Sequence, residues 1–271
     1  MLPSYTPQEN VPTGDANAAL AGRTALVTGA SRGIGRAVAL RLAQLGARVL
    51  LVARDQRALE AVKQHILQLG QLGGAADTIP CDLTSASAIA ALGSRVEALG
   101  GCDILVNAAG IGRMGAPLHE MPIEDFDAIV ATNLRAPFLL MRAVVPHMMA
   151  RRGGEIVNIS SLAGQAPLAN GAAYAASKWA LNGLSYSAAE ELRAHNIRVS
   201  VVAPGSVNTG FGGDQSAIGS GAGTAEEIEK KVLRGKKKLQ PEDVANVVAM
   251  LVTQPPQSFI SEVRMRPTQK P

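Results

Sequence analysis

Two stretches of the 271-residue chain carry side-chain types and spacings suited to chemistry. In "YAASKWAL", Tyr174 and Lys178 stand four residues apart, about one helical turn, so both polar tips share a face. A free phenol titrates near pH 10, and a cation one turn away favours its ionised form. Taken alone, the pair also fits a half-buried aromatic with a lysine stem lying along it. The second stretch is "TGASRGIG" (28–35), with Gly29, Ser31, Arg32, Gly33, Ile34 and Gly35. Glycines permit a sharp turn and close approach of a ligand. A helix starting there offers unpaired N–H groups and a positive dipole end to a pyrophosphate. The spacing is Gly-x-x-x-Gly-x-Gly rather than G-x-G-x-x-G, so its weight comes from following a first strand.

The elements that must position these residues alternate from Arg23 onward. Apolar runs predict strands at 24–29, 47–54, 75–82, 102–110, 154–161, 197–205 and 261–267. Helical spacing predicts helices at 33–46, 55–69, 84–99, about 122–131, 134–151, 173–194 and 241–253, with a charged helical segment at 224–234. Continuous apolar strands separated by helices imply a parallel sheet covered on both faces. The expected fold is a single-domain, Rossmann-like, doubly wound α/β structure over 23–271, preceded by a flexible Pro-rich arm at 1–22. Ligands in such sheets bind at the C-terminal ends of the strands. The second strand ends at Ala53-Arg54-Asp55, where an acid suits ribose hydroxyls and an arginine suits a 2′-phosphate. Arg54 aligns with that position and Arg32 closes on the same phosphate, which favours NADP(H) over NAD(H). Asp55, one step further, also fits a helix cap.

Four motifs in order give the chain its resemblance to the short-chain dehydrogenase/reductase family, from about Arg23 to Pro267. These are "TGASRGIG", "VNAAG" (106–110), "YAASK" (174–178) and "APGSVNT" (203–209). Within the compact single-domain branch the chain is similar to members of the 3-oxoacyl-[acyl-carrier-protein] reductase type. Ala108 replaces the second Asn of the family's N-N-A-G segment, and the C-terminal "SEVRMRPTQ" lacks the G-G ending many members carry. The resemblance implies that Tyr174 is the general acid/base. It implies that Lys178 lowers the phenol's pKa and bonds the nicotinamide ribose, and that Ser161 polarises the substrate carbonyl. It also implies that Asn133 holds a water linking the lysine to bulk proton exchange. For the cofactor it implies Asp82 at the adenine, with Leu83 beside it. It places Asn107, Ala108 and Gly110 along the adenosine half, and Pro204, Gly205, Val207 and Thr209 over the nicotinamide. The activity implied is hydride transfer between NADP(H) and a carbonyl or alcohol, in a homodimer or homotetramer. The rivals are a non-catalytic dinucleotide-binding scaffold and a sugar-nucleotide epimerase or dehydratase, which usually needs a larger C-terminal domain.

Composition narrows the classes further. A net charge of +4 is too weak to argue for nucleic acid, and Lys236–Lys238 reads first as a solvated turn, second as a site for an acidic partner. Cys81 and Cys102 sit in apolar strand-like stretches and read as core residues rather than a disulfide. Four scattered histidines form no metal-ligand spacing. No apolar run reaches membrane-span length, and the N-terminus lacks a signal-peptide pattern, so a cytoplasmic setting without membrane contact is expected. Substrate selectivity is expected from 111–121, 162–171 and the Gly-rich loop at about 208–235.

Overall fold

A computed structural model describes residues 18–69, 75–211 and 238–268. Residues 1–17 of the arm, the 224–234 helix, most of the 208–235 loop, Lys236 and Lys237 lie outside the described residues. The order is β1 (Thr24–Thr28), α1 (Gly33–Gln44), β2 (Arg48–Ala53), α2 (Gln56–Gln68), β3 (Ala76–Pro80), α3 (Ala86–Ala98) and β4 (Ile104–Asn107). Then come α4 (Ile123–Val130), α5 (Ala136–Ala150), β5 (Gly154–Ile159), α6 (Ala172–Leu192), β6 (Ile197–Pro204), α7 (Pro241–Val252) and β7 (Glu262–Met265).

The strands form one seven-stranded parallel sheet in the order β3-β2-β1-β4-β5-β6-β7. Chain order reverses between β1 and β4, which opens the crevice where doubly wound sheets take their ligands. Alternate strand residues feed opposite cores. Ala25, Val27, Val49, Leu51 and Val106 pack with α1, α2 and α7 through Val38, Leu42, Leu59, Ile66 and Val248. Leu26, Leu50, Leu105, Ile156 and Val199 pack with α3 and α5 through Leu92, Leu140, Val144 and Met148. Both faces are dry, which explains why the strands read as unbroken apolar runs. β7 pairs with β6 from Val201↔Glu262 to Pro204↔Met265, so the missing G-G ending leaves the last strand in place.

One expectation needs correction. The chain does not break between 131 and 134. Ala131–Arg135 forms a π-turn, with the Ala136 N–H bonded to the Ala131 carbonyl, and it joins α4 to α5. The joined helix, Ile123–Ala150, is long and apolar enough by length and composition to cross a membrane, with a mean hydropathy of 1.4 over an 18-residue window. The sequence reading missed this run because it split the segment in two. Its apolar character has a use within the fold, since Ala136, Leu140, Met141, Val144 and Met148 are buried in the α3/α5 core.

Candidate active site

The glycine turn after β1 is shaped by how closely backbones meet there. Gly29 has φ +65°, and a Cβ on it would lie 2.9 Å from both Cα and N of Ala109. The turn after β1 and the segment after β4 therefore touch main chain to main chain. Thr28 pins them together: its Oγ1 donates to the Val106 carbonyl (3.3 Å) and accepts from the N–H groups of Ala108 (3.1 Å) and Ala109 (3.2 Å). No local signal marks Thr28 as this hub, because its partners lie 78 to 81 residues away in sequence. With this hub in place, Ala108 contributes only backbone. Gly33, with φ +55°, lies under Thr209, whose Cγ2 would sit 3.2 Å from an added Cβ. α1 opens with no side-chain cap and no acid in its first turn, the state in which a helix N-terminus accepts an anion. Ser31 and Ile34 are half-buried along this turn, and Gly35 is buried.

At the end of β2, Asp55 Oδ1 accepts from the N–H groups of Arg57 (2.9 Å) and Ala58 (3.1 Å), capping α2. The carboxylate is thus committed to the helix, and exposed Arg54 stands beside Asp82. Asp82 is held below the usual carboxylate range, first by the Thr84 N–H, then by the Thr84 hydroxyl, with Arg54 adding to the same effect. Those bonds measure 3.0 and 2.8 Å. Leu83, next to it, is buried. Asn107 is buried at the end of β4, and its Nδ2 donates to Asn158 Oδ1 at 2.8 Å, bracing β4 against β5.

The second cluster forms where β5, α6 and the π-turn meet. Tyr174 and Lys178 are 7% and 4% exposed, the pair sharing one face of α6. Lys178 Nζ lies 5.9 Å from the Tyr174 ring centroid and donates to the Ile159 carbonyl at 2.9 Å. Ser161 follows β5, and its Oγ accepts from the Ala163 N–H at 3.1 Å. Burial pushes the Tyr174 phenol above its ordinary value, and a hydrogen bond with the Ser161 hydroxyl opposes that rise. Burial brings the Lys178 ammonium down to about 8. The ammonium lies over the ring and points to a carbonyl, and desolvation dominates both groups.

Asn133 is fully buried in the π-turn. Its amide clasps Ile111, accepting from the Ile111 N–H (2.9 Å) and donating to the Ile111 carbonyl (2.9 Å), and also donates to Ser177 Oγ (3.1 Å). It thus ties the chain after β4 to α6 beside the Tyr–Lys pair. Gly110 borders the same space: a Cβ there would be 3.3 Å from Asn133 Oδ1 and 3.8 Å from Lys178 Nζ. The segment after β6 completes the rim. Gly205 bonds the Met265 carbonyl through its N–H (2.8 Å), and Val207 bridges to Leu239. Phe211 was missed by the sequence reading. Its ring stands 5.8 Å from that of Tyr174, tilted by 58°, and a Cβ on Gly112 would meet it at 2.5 Å. No sequence signal marks Phe211, because its neighbours come from two distant segments.

The structure brings together Ser161, Tyr174, Lys178 and Asn133, and it sets the Gly29–Gly35 turn, Gly110 and Thr209 along the same strand ends. Such an arrangement can hold an anionic dinucleotide at one end and move a proton at the other. A relative, a short chain dehydrogenase of Pseudocercospora fijiensis (strain CIRAD86), is 37% identical over 242 residues, covering 87% of this chain and 77% of its own. A metagenomic short-chain oxidoreductase solved in complex with NADP is 50% identical, with a TM-score of 0.77, covering 93% of this chain and 100% of that one. An alcohol dehydrogenase from the archaeon Thermococcus sibiricus, complexed with 5-hydroxy-NADP, is 27% identical with a TM-score of 0.78, covering 92% and 98%. The short chain dehydrogenase family model matches residues 23–217, and with the fold and the relatives it makes this chain a member of that oxidoreductase family.

Proposed function

We propose that the protein is an NADP(H)-dependent oxidoreductase that interconverts a carbonyl and an alcohol, with Tyr174 as the proton-transferring group. The observation that carries this reading is Tyr174, Lys178 and Ser161 meeting at the same strand ends as the glycine turn. The residues present fit NADP. Gly29 and Gly33 clear the way for close approach, α1 has an uncapped start, and Asp55 is turned to α2, away from a role at a ribose diol. The NADP-bound relative at 50% identity supports the same choice. Arg54 and Arg32 would take the 2′-phosphate, Gly29–Gly35 the pyrophosphate, and Asp82, Leu83, Asn107, Ala108 and Gly110 the adenosine side. Lys178, Pro204, Gly205, Val207 and Thr209 would hold the nicotinamide end. When bound, the nicotinamide supplies or takes the hydride.

The chain's own work is proton transfer and alignment. Tyr174, its phenol raised by burial, is protonated at neutral pH and so stands ready to donate to a carbonyl oxygen, which favours reduction. Ser161 offers a second hydroxyl to the same oxygen as its charge develops. Lys178 orients the cofactor ribose and supplies positive charge near the phenol. Pro137 has no N–H for the Asn133 carbonyl to accept in the usual helical pattern, which suits that carbonyl to a water in a proton path to Lys178. Phe211, with Met114 near it at Gly112, gives the substrate side an apolar wall. Among the described residues only α7 and β7 follow β6, which disfavours an epimerase or dehydratase with a larger C-terminal domain.

Exposed Phe138 on α5 and Trp179 on α6 support a homodimer or homotetramer through those helices. Free, buried Cys81 and Cys102 accord with a reducing cytoplasmic setting. The test is NADPH absorbance decay against aldehydes, ketones and 3-oxoacyl thioesters, with wild type and Tyr174→Phe. Substrate-dependent oxidation by wild type that falls sharply in Tyr174→Phe is expected. Absence of turnover across the panel would favour a binding scaffold, and equal rates in the two proteins would remove Tyr174 from the mechanism.

A further inference from the structure

We infer that Asn182 is a positioning residue for Ser161, acting through the short turn that follows β5; the inference rests on the catalytic reading of Ser161 above. Tyr174, Lys178 and Asn182 recur every four residues on α6, three levels of one helix face. The first two line the candidate active site. The third is 4% exposed, and its Nδ2 donates to the Gly164 carbonyl at 3.0 Å.

Gly164 ends the 3-10 turn Leu162–Gly164, whose N-cap is Ser161. The Gly164 N–H returns to the Ser161 carbonyl at 2.9 Å, and the Ala163 N–H bonds Ser161 Oγ at 3.1 Å. The position of the Ser161 hydroxyl is thus fixed by the turn, and the turn is fixed to α6 by Asn182. The fit is close. A Cβ on Gly164 would lie 2.9 Å from Asn182 Nδ2, 3.0 Å from the Lys178 carbonyl and 3.0 Å from Ser160 Oγ. The serine turn therefore rests directly on the helical segment that carries the lysine.

Asn182 gains little stability by being there. Its Oδ1 is buried and has no hydrogen-bond partner among the described residues, so one bond to Gly164 offsets the desolvation of a whole amide. A leucine of similar size would fill the space but leave the buried Gly164 carbonyl without this donor. What only the amide supplies is a directional tie between the turn bearing Ser161 and the helix bearing Tyr174. A misplacement of about 1 Å between reacting groups can cost about 100-fold in rate, so such a tie matters to catalysis.

The experiment compares Asn182→Leu and Asn182→Ala, each alone and combined with Ser161→Ala, in the full-length protein. With Ser161 present, kcat is expected to fall about 10- to 100-fold, with the KM for NADPH unchanged. In the Ser161→Ala background the same substitutions are expected to change kcat less than about 2-fold, because coupled residues are not additive. An undiminished kcat in the single variants, or a full multiplicative loss in the double variants, would overturn the inference. Gly164→Ala, whose Cβ forces the turn away from α6, is expected to show the same kinetic pattern and serves if the Asn182 variants fold poorly. Crystal structures of wild type and Asn182→Leu give a readout independent of turnover. Displacement of the 161–164 turn relative to Tyr174 supports the inference, and an unmoved turn refutes it. If wild type itself lacks NADPH-dependent turnover, the proposed function fails, while the crystal structures still decide the positioning role.

Discussion

At the N-terminal ends of the central strands, a buried carboxylate faces a partly buried guanidinium. Glu155 at the start of β5 receives the Arg198 guanidinium of β6 through Nε at 2.9 and 3.0 Å, and also bonds its Nη2. Arg198 further donates to the carbonyls of Gln254 (3.1 Å), Pro255 (2.9 Å) and Ser258, so one side chain ties down the loop after α7. At the C-terminal ends of the same strands the pattern inverts. Lys178, equally buried, has a neutral carbonyl in place of a carboxylate, and Tyr174 is buried beside it. Burial disfavours the charged form of both Lys178 and Glu155, but only Glu155 has an opposite charge, that of Arg198, working against it. One end of the sheet is organised for stability, the other for chemistry.

Substitutions at the two ends should therefore have opposite effects. The largest is at Tyr174. Tyr174→Phe should lower kcat/KM about 100- to 10,000-fold with little change in melting temperature. Lys178→Met should also abolish most turnover, yet raise stability by about 1–3 kcal/mol near neutral pH, measured by urea unfolding, since it removes an unpaired buried cation. At the other end, Glu155→Gln should cost about 3–5 kcal/mol by stranding Arg198, while the folded fraction keeps its kcat. A loss of kcat without a loss of stability in Glu155→Gln would break the comparison.

The pH dependence sharpens it. Lys178 is lowered in the folded protein, to about 8 from 10.5, so the native state binds fewer protons than the unfolded chain between those values. Stability contributed at this site is lowest below about 8 and rises with pH through that window. Glu155 has the opposite sign: its folded pKa is raised by burial, so stability at that site falls as pH rises from the ordinary carboxylate range to the raised value. Turnover in the reducing direction should decline above about 8 as Lys178 loses its charge, a trend visible in a pH profile of kcat/KM. The smallest effect is expected at the cofactor. Arg54→Ala should weaken NADPH about 10-fold relative to NADH, in line with loss of a hydrogen bond to a charged group, as read by binding fluorescence.

Much of this was legible in the chain. Unbroken apolar runs and period-3.6 patterns set the strands and most helices, since each element's burial is encoded locally. The spacing of Tyr174 and Lys178 fixed their shared face, and glycines at 29, 33 and 35 marked the turn after β1. The π-turn at Ala131–Arg135 was not legible, because a π-turn preserves helical composition and differs only in its hydrogen bonds.

The sequence by itself determined which residues were available at the strand ends and which elements carried them, because helix and strand periodicity are properties of neighbouring residues. Only the tertiary structure decided what those residues meet. It set the Ser161 turn on Asn182, brought Phe211 beside Tyr174, turned Asp55 to cap α2, and buried the phenol. Contacts between segments far apart in the chain, and the loss of solvent they cause, exist only once the sheet has closed.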